Sequence, residues 1–207
     1  MRNARVFRSV RARPAERTRP LPGDELLPNA VTSPTHAISI RRAPHEVWPW
    51  LVQMGAGRAG WYSYDFIDNG RRPSARRIVP ELQHAELGGI FPAMPGITDG
   101  FTVLQVDPGR SLVLGWLPPG RPAPMTTWAF VLEDAGAGST RLIVRARGGA
   151  DYRPPFGVPR WTTNTLVRWG HGIMQRKQLL GIAERAEASQ EGATRARARC
   201  SYCSAHG

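Results

Sequence analysis

The sequence predicts an α+β domain in which a curved antiparallel sheet lays its apolar concave face on one long C-terminal helix. Three observations carry this. Residues 100–149 read as four strands joined by turns. A first strand and two short helical stretches precede them. Helical periodicity then returns in one run, 164–189. Short helices early, a meander in the middle and a helix last is an α+β order, and packing that helix on the sheet buries the apolar side of both.

The elements follow in chain order. "THAISIRRA", from residue 35, alternates apolar and polar residues and predicts a first strand. "APHEVWPWLVQMG" predicts a helix. Pro44 suits its first turn and Glu46 its positive end, and Val47, Trp48, Leu51, Val52 and Met54 form an apolar stripe. Pro49 is read as lying in the first turns, where a missing N–H costs little. Gly55 and Gly57 end the helix. "WYSYDFIDNG", 61–70, predicts a second short helix capped by Ser63. Residues 71–89 read as a long loop, followed by a strand in "GIFPAMP".

"GFTVLQVDPGRSLVLGW" predicts two strands around an Asp107–Pro108–Gly109 turn. "MTTWAFVLEDAGAGSTRLIVRARGG" predicts two more around a Gly-rich turn. Trp128, Phe130 and Leu132 share a face, as do Leu142, Val144 and Ala146. Arg141, Arg145 and Arg147 share the opposite face, which is therefore expected to meet water. In the last helix, Leu166, Trp169, Ile173, Lys177 and Leu180 form one stripe. Val167, Gly170, His171, Met174 and Gln178 form the next. Gly170 and Gly172 each cost about 1 kcal/mol against Ala, so their presence points to close backbone approach or to room left for something.

The length of 207 residues suits one domain with extras. Residues 1–20 read as a disordered basic tail, 21–34 as an extended surface arm, 35–189 as the folded domain and 190–207 as a disordered tail. The formal charge of +12 first suggests an anionic partner. Residues 1–34 hold +4 of it and 192–207 hold +3, so more than half lies on the two ends. Lys177 is the only lysine. Arg saturation beside abundant Ala, Gly and Pro is what GC-rich codon usage produces, and this reading argues against a nucleic-acid partner.

No stretch approaches the roughly 20 apolar residues of a membrane span, and the N-terminus lacks a secretory apolar core; a cytoplasmic location is expected. Cys200, Cys203 and His206 offer at most three ligands on a tail, so neither metal nor cofactor is expected. "GAGRAG", 55–60, follows a helix rather than a strand and lacks the lysine of a phosphate loop. No carboxylate pair stands out for hydrolysis, and no Rieske-type Cys/His pattern occurs.

The opening "ISIRRAPHEVWPWL" and the element order over about residues 35–188 resemble the START-like superfamily (Bet v 1-like, polyketide cyclase/dehydrase-like, SRPBCC). "PGDE", "VWPWLVQMGAGRAGWYSYD", "RPSA", "PELQ" and "TWAFVLE…STRLIVRARG" resemble a bacterial branch of it. The resemblance implies a helix-grip fold, with a curved antiparallel sheet wrapped around a long C-terminal helix, two short helices after the first strand, and a large apolar cavity. It implies binding of a hydrophobic small molecule (lipid, polyketide or aromatic compound) in that cavity, or alternatively a cyclase/dehydratase-like acid–base enzyme. Segment 56–90 departs from the compact members; it either covers the cavity mouth or serves the fold alone.

Within that frame, Trp61, Tyr64, Trp116, Trp128, Val167, Gly170, His171 and Met174 are the candidate ligand-binding residues. The acid–base candidates are His171, Asp65 and Tyr64, since a histidine facing the cavity titrates near neutrality. The competing reading of Asp65 is an ion pair with Arg58, Arg71 or Arg72. Tyr62 and Tyr64 also suit the closing of a loop. His84 and His36 sit near element boundaries and have weaker cases. Trp48, Trp50 and Trp61 are read as packing and covering groups, because the lining of such a cavity is also the inside of the core.

Overall fold

The computed structural model describes residues 9–96, 99–150 and 172–188. Its elements are α1 (Pro14–Thr18), β1 (Thr35–Ile40), α2 (Pro44–Val52), α3 (Asp65–Asp68), a 3₁₀ turn at Pro80–Leu82, β2 (Ile90–Pro92), β3 (Gly100–Asp107), β4 (Ser111–Trp116), β5 (Thr126–Gly136) and β6 (Ser139–Gly148), then α4 at 172–188. The six strands form one antiparallel sheet in the order β1-β6-β5-β4-β3-β2. Among the described residues no helix is long and apolar enough to cross a membrane.

Period-2 alternation assigns the sheet faces. Ile38, Ile40, Leu112, Leu114, Phe130, Leu132, Leu142 and Val144 belong to the main core, which also holds Leu179, Ile182, Ala183 and Ala186 of α4. The described part of the last helix therefore packs on the apolar face, as expected. Its buried stripe differs from both expected stripes. Gln175, Gln178, Leu179, Ile182, Ala183 and Ala186 are buried, whereas Ile173 and Lys177 are exposed. On the same helix Gly181 lies against Tyr62, where a Cβ would come within 2.3 Å of the Tyr62 carbonyl oxygen.

In α2 the Glu46 carboxylate accepts the Ala43 N–H at 3.0 Å, satisfying a donor at the helix start. Val47, Trp50, Leu51 and Val52 are buried. Pro49 is the sixth helical residue rather than part of the first turn, so it removes a hydrogen bond the helix would otherwise make. The expected second helix, 61–70, is reduced to α3. Tyr62 takes left-handed backbone, with φ 60°, which an α-helix cannot contain. Tyr64 stands at the helix start instead of Ser63.

The N-terminal segment corrects two expectations. Residues 9–20, expected to be disordered, include α1, and residues 9–34 run over the convex face of the sheet. The arginine face of β6 consequently does not meet water. Arg145 is only 3% exposed. Its Nε donates to Thr35 Oγ1, Nη1 to the Arg19 carbonyl and the Asp24 carboxylate, and Nη2 to the Glu16 and Arg17 carbonyls. All five donors of the guanidinium are used, two of them on carbonyls that α1 leaves open at its C-terminal end. Arg147 donates to the Leu27 and Pro28 carbonyls. Beneath the segment, Ala12 and Leu21 pack on Ala37, Ile143 and Val131, a second small core on the convex side.

Candidate functional site

The concave side carries an aromatic wall where β3 begins and β4 ends. Trp61 stacks on Trp128 with ring centroids 5.4 Å apart and planes at 27°. Phe101 sets its edge against Trp61, Trp116 and Trp128 at 5.7, 5.9 and 5.4 Å. Phe130 continues the wall 4.9 Å from Trp128. The register places these rings: Trp128 of β5 pairs with Leu114 of β4, and Trp116 with Thr126. Such offset and edge contacts are favoured by the ring quadrupoles.

A buried polar chain crosses from this wall into α4. Trp128 Nε1 donates to Gln175 Oε1 at 2.9 Å, Gln175 Nε2 to Gln178 Oε1 at 2.8 Å, and Gln178 Nε2 approaches Met54 Sδ at 3.6 Å. Both glutamines are 2% exposed. Thioether sulfur is a weak acceptor, so the chain ends on an amide whose donors are poorly matched. A carbonyl or hydroxyl oxygen would suit that end better.

Segment 56–90 is tied to this site by α2 and α4. The Gln53 amide, wholly buried, donates to Tyr62 Oη at 2.9 Å and to the Arg77 carbonyl at 3.2 Å. Its oxygen accepts from Val79 N and Gln83 Nε2. Tyr62 lies edge-on to Trp50 and beneath the Arg185 guanidinium. Burial raises the Tyr62 phenol above its ordinary value and lowers the Arg185 and Arg58 guanidiniums below theirs, because a low-dielectric site disfavours the charged form of each. Gly60 has φ 82°, and a Cβ there would lie 2.2 Å from Ser74 Oγ, so only glycine fits this crossing. The segment thus supplies Trp61 to the aromatic wall and is a structural part of the domain.

The expected site residues divide. Trp61, Trp116 and Trp128 come together through Phe101. Met174 is half-buried, and its carbonyl accepts from Ser63 Oγ at 3.2 Å. Tyr64 is half-buried and sets its ring against exposed Phe66 at 5.9 Å. Asp65 forms no ion pair with a described arginine. Its carboxylate accepts from the Ser74 N–H and hydroxyl, closing its loop. His36 is half-buried in β1, where burial lowers its pKa, and His84 is exposed in the loop after the 3₁₀ turn. Val167, Gly170 and His171 lie outside the described residues, as do Cys200, Cys203 and His206. Among the described residues no group of three or more His, Cys, Asp or Glu is placed to hold a metal.

Three notable residues were not among the expected site residues, although Gln178 was placed in a helix stripe. Gln175 and Gln178 extend the buried stripe of Leu179, Ile182 and Ala186 by one turn, a signal readable in the spacing. Asp68 is 7% exposed, and neither of its oxygens makes a full hydrogen bond. Burial pushes its carboxyl up to about 6, and the Asp65 carboxylate adds to the rise. Nearby backbone N–H groups and the Ser63 hydroxyl offset this only in part. Sequence gave no sign of it, since "DFIDN" reads equally well with either aspartate buried.

No family model and no curated protein matches the chain. Among solved structures, protein MLL2253 from Mesorhizobium loti is 18% identical at a TM-score of 0.44, over 76% of this chain and 98% of its own. CalU16 from Micromonospora echinospora is 18% identical at 0.41, over 74% and 65%. The di-domain ARO/CYC StfQ from the steffimycin biosynthetic pathway is 11% identical at 0.43, over 81% and 54%. Likenesses this low carry neither ligand nor reaction across. By its own strand order and packed terminal helix, the chain has the helix-grip fold that the START-like resemblance implies.

Proposed function

We propose that the concave interior binds a hydrophobic small molecule of the lipid, polyketide or aromatic class. The observation that carries this reading is the aromatic wall of Trp61, Phe101, Trp116 and Trp128, joined through Trp128 Nε1 to the buried amides of Gln175 and Gln178. An apolar surface with a few fixed polar groups is the usual make-up of a small-molecule site. The rings supply area and stacking, and the amide chain supplies orientation for an oxygen on the ligand. The acid–base alternative finds less support, because Asp65 is spent on Ser74 and Tyr64 leans on Phe66.

The test is titration of the full chain with 1-anilinonaphthalene-8-sulfonate, followed by native mass spectrometry and organic extraction of the purified protein. Saturable energy transfer from tryptophan to the probe is expected, weakened several-fold in Trp128→Leu. Transfer that does not saturate, or that is indifferent to Trp128, together with a protein carrying no extractable compound, would sink this reading.

A further inference from the structure

Two adjacent large apolar side chains are exposed on the loop that carries α3. Phe66 is 67% exposed and the adjacent Ile67 47%. Met94, 44% exposed, sits on the neighbouring turn, where a Cβ placed on Gly70 would lie 3.0 Å from Pro95 Cγ. Four residues past Ile67 come Arg71 and Arg72, both exposed and neither ion-paired with a described residue.

This tip is a built feature. The Asp65 carboxylate holds Ser74, the Asp65 carbonyl accepts the Arg71 N–H at 2.7 Å, and Asn69 bridges Gly57 N and the Arg72 carbonyl at 3.1 and 2.7 Å. The loop's own carboxylates leave the basic edge unopposed, since Asp65 is engaged and Asp68 is buried. A hydrogen-bonded loop with adjacent exposed apolar groups beside two exposed cations suits an apolar partner with a negative rim.

We propose that this tip docks the protein peripherally on an anionic lipid bilayer, with Phe66, Ile67 and Met94 entering the interface and Arg71 and Arg72 meeting the phosphates. Interfacial binding of this kind adds apolar burial to attraction between basic side chains and anionic lipid. The charge pattern disfavours a second copy as the occupant: a two-fold contact through the tip would set the same arginines near one another. The inference rests on the surface and does not depend on what the interior binds.

The experiment is co-sedimentation of the full chain with vesicles of phosphatidylcholine alone and of phosphatidylcholine with one-third phosphatidylglycerol, at low and high salt. Binding to the anionic vesicles is expected, reduced by salt. The F66S/I67S variant changes no charge and should bind about tenfold more weakly, and R71E/R72E by at least as much. Because these side chains are exposed, both variants should keep the wild-type circular dichroism and melting temperature. Equal sedimentation of F66S/I67S and wild type would show that the basic termini alone hold the vesicle, and would overturn the proposal. So would absence of binding to anionic vesicles. A concentration-dependent dimer abolished by F66S/I67S would assign the tip to a second copy instead.

Discussion

Arg141 and Glu16 meet fork to fork on the convex face, with Nε 2.8 Å from Oε1 and Nη2 2.9 Å from Oε2. The pair joins residues 125 positions apart, and both side chains are about nine-tenths buried. It fastens the N-terminal segment to the centre of the sheet. The Arg141 hydrogen bonds hold the Glu16 carboxyl below its ordinary value, against the opposing effect of burial.

That depression sets a pH dependence. A carboxyl whose folded pKa lies below its unfolded one contributes stability that is present above the unfolded value and is lost as pH falls through the folded value. The N-terminal segment should therefore stay protected at neutral pH and loosen as the pH falls below about 4.5, the ordinary carboxyl value. Hydrogen exchange or limited proteolysis of residues 9–34 across that range will report it. Glu16→Ala should loosen the segment already at neutral pH, at a cost of about 3–5 kcal/mol, because it leaves a buried guanidinium unpaired.

Arg145→Lys tests the five-donor anchor. An ammonium has three donors and no planar fork, so two of the five contacts are stranded. A loss of about 2 kcal/mol or more in urea denaturation is expected. Unchanged stability would mean the segment holds through its apolar contacts alone.

Asp68 titrates in the opposite sense. Its folded carboxyl, at about 6, lies above the ordinary 3.8, so the folded protein holds a proton that the unfolded chain releases. Stability is lost as pH rises between those values and stays lower above them. Asp68→Asn should be close to neutral at pH 4 and stabilising by on the order of 2 kcal/mol at pH 7.5. Melting temperatures of both proteins at the two pH values will show whether the gain is confined to the higher one.

The amide chain predicts non-additivity. Trp128→Phe keeps an aromatic ring but removes the donor to Gln175, leaving a buried oxygen unmatched at a cost of about 1–3 kcal/mol. Adding Gln175→Leu and Gln178→Leu removes the stranded groups as well. The triple variant should therefore be less destabilised than the sum of its parts, read by urea denaturation. Additive losses would argue that the chain is not a coupled unit.

Much of the fold was legible because its signals are local. Alternation marked β1 and β3 to β6, Asp107–Pro108–Gly109 marked a turn, and the face shared by Trp128, Phe130 and Leu132 was readable from their spacing. The reading failed where distant segments meet. Arg141, Arg145 and Arg147 alternate as a wet strand face does, and nothing near them in sequence announces that residues 9–34 will cover them. The extent of α3 was missed because buried Tyr62 takes a left-handed conformation that nothing in the local pattern announces. Asp68 carries the same ambiguity, since only the folded loop decides which aspartate is engaged and which is buried.

The sequence by itself determined the order of elements, the period of each and the apolar face of the sheet, because these follow from side-chain spacing along a regular backbone. Tertiary structure alone decided which face of the last helix is buried, what covers the convex face and which rings meet. Each of those depends on residues well separated in sequence, from Trp61 with Phe101 to Arg141 with Glu16, 125 positions apart. Such pairings are set by the competition among whole surfaces for burial, which no local pattern records.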